Sequence, residues 1–226
     1  RNIFFEGSFK HYTGSSFKRL YQDTFDYLRK EWEQQDTCSL VPSYHSPDKK
    51  DYTSYRYPCP VDDSTVVAVK SGLKDINSLV TIVHGKEKRL SYIGSINSRL
   101  DYRNGKIYWT EIVPGLRWTH ENYSVLKCYD LKEGRIKSIT PRQRYLSPSV
   151  DKNGKVAAVS RTTVDGKNQL VLVELEDGKE LFAFQVPGNA FIKELTCTDQ
   201  DEVVAVAVTD AGISLLQFTP SSGQWE

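Results

Sequence analysis

The chain has 226 residues, enough for one large all-β domain or for a small domain beside a larger one. Its 30 basic and 29 acidic side chains leave a formal charge of +1, which removes the clustered cationic excess that nucleic-acid binding needs. No apolar run approaches the ~20 residues of a membrane-spanning helix. The chain opens on Arg1 and not on Met, which predicts a piece of a longer protein, and its opening carries no signal-peptide pattern.

Residues 1–35 read as a helical segment. Phe17, Leu20, Tyr21, Thr24, Leu28 and Trp32, with Phe25, recur at i, i+3/i+4 spacing and give a helix one apolar stripe. Ser15 or Ser16 is a natural N-cap. Gly14 separates this helix from an earlier short one carrying Ile3, Phe4, Phe5 and Phe9. Asp26 and Lys30 form an acid-before-base pair one turn apart. The stripe is expected to dock on an upstream domain of the same protein. Residues 36–56, rich in Ser, Asp, Pro and Lys and without periodicity, read as a linker.

From residue 57 to 226 the helical period gives way to a recurring β unit. Its clearest copy runs from Tyr145 to Ser160: a strand, a turn on Asp151-Lys152-Asn153-Gly154, then a strand of small and β-branched residues. Asn-Gly is a strong hairpin signal, because both central residues of a type I′ turn need positive φ. Strands over 169–175 and 180–185 complete the unit. Aligning on Asp62, Asp101, Asp151 and Asp199 gives spacings of 39, 50 and 48 residues. Four strands at a period of ~40–50 residues predict propeller blades, since one four-stranded sheet cannot bury both its faces alone. The fold class is therefore mainly β: a β-propeller with about four blades, part of a larger one, behind a helical segment.

Ser147-Pro148, Asp151-x-x-Gly154-Lys155 and Ala157-Ala158-Val159-Ser160 resemble the repeat of TolB-type propellers, the six-bladed, WD40-like propellers of bacterial cell envelopes. The resemblance covers about residues 57–226, although blades one, two and four lack the Ser-Pro pair. It implies a periplasmic or cell-envelope location. The lead-in from Phe9 to Trp32 is similar to the C-terminal helices of gluzincin-type peptidase domains, but the zinc motif His-Glu-x-x-His is absent here. The only His-Glu pair is His120-Glu121, followed by Asn-Tyr-Ser.

Chemistry is sparse. There is no nucleophile elbow, phosphate-binding loop or dinucleotide fingerprint. The four cysteines lack zinc-site spacing and read as free thiols, with a Cys38–Cys59 pairing left open. The paired acids Asp62-Asp63 and Glu176-Asp177 read as turn formers. No cofactor or metal is expected, and the chain is read as non-enzymatic.

One segment departs from the repeat. Blade two carries an insertion from Ile112 to Asn122 between its second and third strands, with Arg117 beside Trp118. Adjacent Arg and Trp in a loop are residue types that dominate binding energy. Trp109, Glu111, Arg117, Trp118, His120 and Tyr123 are expected to cluster, because the flanking strands pair. TolB-like propellers often show an Arg-Trp ahead of a Tyr-Ser here, which Arg117-Trp118 and Tyr123-Ser124 match. A packing role stays open: Trp118 filling a gap between blades, with Arg117 paired to Glu111 or Glu121. Arg144 and Tyr145, entering blade three, complete the candidate binding set. The expected function is binding or scaffolding of a protein or peptide partner. The alternative is a regulatory propeller of a hydrolase whose catalytic domain lies outside this chain.

Overall fold

A computed structural model describes residues 5–35, 51–96, 98–115, 117 and 122–226. It divides into two compact units, Arg1–Ser43 and Tyr44–Glu226. In the first, helix α1 spans Phe5–Thr13 and α2 spans Phe17–Gln35. Gly14 ends α1 at φ +73°, its N–H donating to the Lys10 carbonyl at 2.9 Å. Ser16 is the N-cap of α2: its Oγ accepts from the Arg19 N–H at 3.3 Å. The rings of Phe5, Phe9 and Phe17 meet at centroid distances of 5.5–6.3 Å and join the two helices. Asp26 pairs with Arg29 at 3.2 Å, three residues on, where Lys30 was expected as its partner. Leu20, Tyr21, Phe25 and Trp32 stay exposed along the stripe.

The second unit contains sixteen strands among the described residues. They are β1 (Thr53–Pro60), β2 (Thr65–Gly72), β3 (Ser78–Val83) and β4 (Lys86–Tyr92); β5 (Asp101–Arg103), β6 (Lys106–Pro114), β7 (Asn122–Asp130) and β8 (Arg135–Ser138); β9 (Tyr145–Val150), β10 (Val156–Thr162), β11 (Asn168–Glu174) and β12 (Glu180–Gln185); β13 (Phe191–Cys197), β14 (Val203–Thr209), β15 (Gly212–Thr219) and β16 (Gln224–Trp225). Each group of four forms one antiparallel meander in sequence order. Strand β1 starts at Thr53, so pairing reaches into the stretch read as linker. Tyr55 and Arg56 are drawn in by their ladder with Lys70 and Val69.

The sheets stack in series because their middle strands are apolar on both faces. In β10, Ala157 and Val159 pack with Tyr108 and Leu126 of the second sheet. Ala158, one residue out of phase, packs with Val203 and Ala205 of the fourth. Likewise Val67 and Val69 of the first sheet meet Ile107 and Trp109 of the second. Alternation with period two thus divides the middle strands of the second and third sheets between two interfaces.

Two turn readings are corrected. Asp101 is not a turn acid: it begins β5, and the β5–β6 turn is made by Asn104 and Gly105 at φ +49° and +77°, the type I′ pattern. In the Asp151–Gly154 turn of blade three only Gly154 has positive φ. There the Asp151 carboxylate accepts the N–H groups of Asn153, Lys155 and Val156 and shapes a longer turn. The Ser147-Pro148 pair marks a ladder irregularity, with Ser147 at φ +48° and its Oγ donating to the Lys193 carbonyl at 2.7 Å. Tyr57-Pro58 takes the same place in β1, with Tyr57 at φ +55° and an irregularity of its own.

Candidate functional site

Strands β6 and β7 form the longest hairpin, paired from Lys106↔Asp130 to Pro114↔Asn122. Its inner part is packing. Trp109 is fully buried, its indole Nε1 donating to Glu111 Oε2 at 3.4 Å, and Lys127 Nζ reaches Glu111 Oε1 at 2.5 Å. Glu111 is therefore committed to Lys127 rather than to Arg117. Arg117 is exposed and makes no ion pair among the described residues. Trp118 and His120 lie outside the described residues.

The outer end of the hairpin meets blade three. Ser124 and Gln143 exchange backbone hydrogen bonds of 2.7 and 2.8 Å, and Ser124 Oγ donates to the Tyr145 carbonyl at 2.5 Å. This stitching leaves a groove of about 330 Å³ between the sheets. Ile112, Asn122, Tyr123 and Ser124 line one wall; Arg144, Leu146 and Thr162 line the other. Tyr145 is buried beside it, with its hydroxyl donating to Glu180 at 3.0 Å. Burial, and then the Glu180 carboxylate, push that phenol up to about 12. Glu180 is also gripped by Arg161, at 2.6 and 3.1 Å.

Of the candidate residues, the structure thus brings Tyr123 and Arg144 together on the groove. Tyr145 is buried between blades two and three beside it, whereas Trp109 and Glu111 face blade one. Sequence reasoning named Ile112 and Asn122 only as the ends of the insertion, and missed Leu146 and Thr162. Aligning the end of β6 with the end of β10 would have matched Ile112 to Thr162, but the contact across the sheets has no sequence signal.

A second cavity, of about 550 Å³, lies among the innermost strands β1, β5, β9 and β13, with Asp101, Arg103 and Glu194 on its walls. Arg99 spans it to Glu194 at 3.0 Å. Burial holds the Asp101 carboxyl above the usual carboxylate range, against its hydrogen bond from the Val150 N–H and the nearby Arg103. Cys59, Cys128 and Cys197 are free thiols, and burial pushes Cys59 and Cys197 up to about 11. Among the described residues no three His, Cys, Asp or Glu side chains converge as metal ligands.

No family model matches the chain, and no curated protein matches it. Solved structures do. TolB from Acinetobacter baumannii superposes with a TM-score of 0.61 at 12% identity, over 78% of this chain and 43% of that one. The β-propeller domain of the Trilobed protease from Pyrococcus furiosus gives 0.51 at 12% identity, over 77% and 57%. The fold is a β-propeller. A gluconolactonase from Xanthomonas campestris, at 0.52 and 15% identity over 71% and 56%, is similar as well. The chain spans less than two thirds of each of these proteins. Identities this low establish the propeller alone, and function must be argued from the sites it carries.

Proposed function

We propose that this chain is a propeller binding module that holds an extended segment of a protein or peptide in the groove between blades two and three. One observation carries the reading: the long β6–β7 hairpin meets blade three to form a groove in which Ile112 and Leu146 supply one apolar side chain on each wall among polar ones, with Tyr123 and Arg144 as anchors. Placed polar groups beside apolar side chains in a groove are the usual form of a recognition site. The chemistry of the lining supports binding over catalysis. Among the described residues the groove presents neither His nor carboxylate, and the Ser124 hydroxyl is spent on the Tyr145 carbonyl. An envelope location, as the TolB-type repeat implies, belongs to the same proposal.

The test is direct capture. The purified chain is passed over an immobilised library of nine-residue peptides, acetylated at one end and amidated at the other. Tyr123→Ala and Arg144→Ala should each weaken retention of the best ligands by roughly tenfold or more, the loss typical of interface anchors, with an unchanged thermal midpoint. If the unaltered chain retains no peptide, the proposal fails.

A further inference from the structure

Charge bookkeeping around the groove leaves one sign uncompensated. Among the described residues three carboxylates lie near this end of blades two and three, and each is already committed. Glu111 is held by Lys127 at 2.5 Å. Glu180 takes both Arg161 and the Tyr145 hydroxyl. Asp165 is held by Lys167 at 3.0 Å and by the Thr163 hydroxyl. The arginines of the same end are in the opposite position. Arg117, Arg142 and Arg144 are exposed, and none has a hydrogen-bond or ion-pair partner among the described residues. Elsewhere in the propeller, Arg56 and Arg89 lie over tyrosine rings, Arg99 bridges to Glu194, and Arg103 donates to the Val150 carbonyl, while the exposed Arg135 side chain on β8 has no partner among the described residues.

Of the three free arginines, Arg144 lines the groove. Its described neighbours do not neutralise it. Among the described residues the lining contains no Asp or Glu, the Thr162 hydroxyl donates to Asn168 at 2.7 Å, and Ser124 is committed to Tyr145. What remains is a planar guanidinium with unused donors, set beside the apolar side chains of Ile112 and Leu146. A guanidinium fork matches a carboxylate in shape and charge, and the pair is strongest where solvent is partly excluded.

Resting on the binding-module reading above, we infer that the groove selects an acidic side chain: an Asp or Glu within an extended peptide segment, seated on Arg144, with an apolar neighbour against Ile112 and Leu146. A chain-terminal carboxylate fits less well. Such termini are captured by converging backbone N–H groups, and the Ser124 N–H at this wall is already bonded to Gln143.

The doubly capped library tests this when its central position is fixed in turn as Glu, Asp, Gln, Asn or Lys. Glu or Asp pools should be retained roughly tenfold better than Gln or Asn pools, the size of one charge-assisted hydrogen bond, and added salt should shrink the ratio. Arg144→Gln should abolish the acid preference while keeping residual capture, and Arg144→Lys should restore part of it. The thermal midpoint of each variant checks that the exposed side chain was changed without unfolding the blade. Capture with no acid preference, an acid preference that survives Arg144→Gln, or capture only of peptides with a free C-terminal carboxylate overturns this inference and leaves the binding module standing. Retention of no peptide in any pool overturns both.

Discussion

The Asp101 carboxylate, on the innermost strand of blade two, accepts the backbone N–H of Val150 in blade three at 2.6 Å. The Ser149 hydroxyl donates to the same carboxylate at 3.4 Å, and Ser149 Oγ accepts the Cys197 N–H of blade four at 3.0 Å. Three blades are thus joined near the axis by a chain of hydrogen bonds through one acid. Asp101→Ala removes the acceptor and leaves a buried N–H unpaired, so it should cost about 1–3 kcal/mol in urea unfolding. The pH dependence has a definite sign. Burial raises the folded-state value above the unfolded one, so the native state binds this proton more tightly. The contribution of Asp101 is largest below the ordinary carboxylate range and falls as pH rises through its raised value. Asp101→Asn should flatten that slope; an unchanged slope would show that Asp101 is not its source.

This latch also marks where the sequence stops being informative. The four meanders were legible because Ala157 to Ser160 are buried on both faces, because Val203, Ala205 and Ala207 recur at period two on one buried face, and because glycine turns punctuate them. Asp101 was misread, since an acid just ahead of Asn104-Gly105 has the same local appearance as a turn-forming Asp151. Its real partners are 48 and 49 residues away, and no local spacing encodes them. The groove was half legible for the same reason. Tyr123 and Arg144 stand out as residue types, whereas Ile112 and Leu146 become walls only when two sheets meet. Trp109 and Glu111 looked like surface anchors because strand alternation alone does not say that the face they share is covered by blade one.

Lys127 and Glu111 make a second, harsher test. Both side chains are largely sequestered, with 21% and 11% of their surface exposed. Removing one partner strands a buried charge, so Lys127→Met should cost about 3–5 kcal/mol. Pairing it with Glu111→Leu removes both charges and should recover much of the loss. Tryptophan fluorescence during denaturation reports the change, because Trp109 donates to this carboxylate. A double variant as unstable as the single one would mean that the loss came from packing and not from charge. Gly94→Ala should act on the same site, since a Cβ there would lie 2.8 Å from the Glu111 carboxylate.

Tyr145, Glu180 and Arg161 give a prediction read by titration. The phenol stands at about 12 through burial and then through its bond to Glu180. Glu180→Gln removes the negative charge while keeping an oxygen that can accept the hydrogen bond. Tyr145 should then ionise at lower pH, toward its ordinary value, seen as an ultraviolet difference between the variant and the unaltered chain. Arg161→Lys loses the forked contact to Glu180 and should destabilise blade three without moving the phenol downward. A Tyr145 titration indifferent to Glu180 would sink this account.

Strand β15 shows how unequally its two faces matter. Phe218 is fully buried against Phe184 and Trp225, with ring centroids 4.6 and 4.9 Å away. Ile213 and Leu215 point to the opposite face and are 70% and 72% exposed, next to Val208 and Phe191. Phe218→Ala removes a ring from a closed interface between blades three and four and should cost about 3–5 kcal/mol. Ile213→Ser and Leu215→Ser give up almost no buried area, so each should stay within about 0.5 kcal/mol of the unaltered chain. Their effect belongs to association. An exposed apolar sheet face promotes sticking between molecules, so the double serine variant should bind less hydrophobic dye and scatter less light at high concentration. If that variant instead lost stability on the scale of Phe218→Ala, the face would be part of the core and not a free surface.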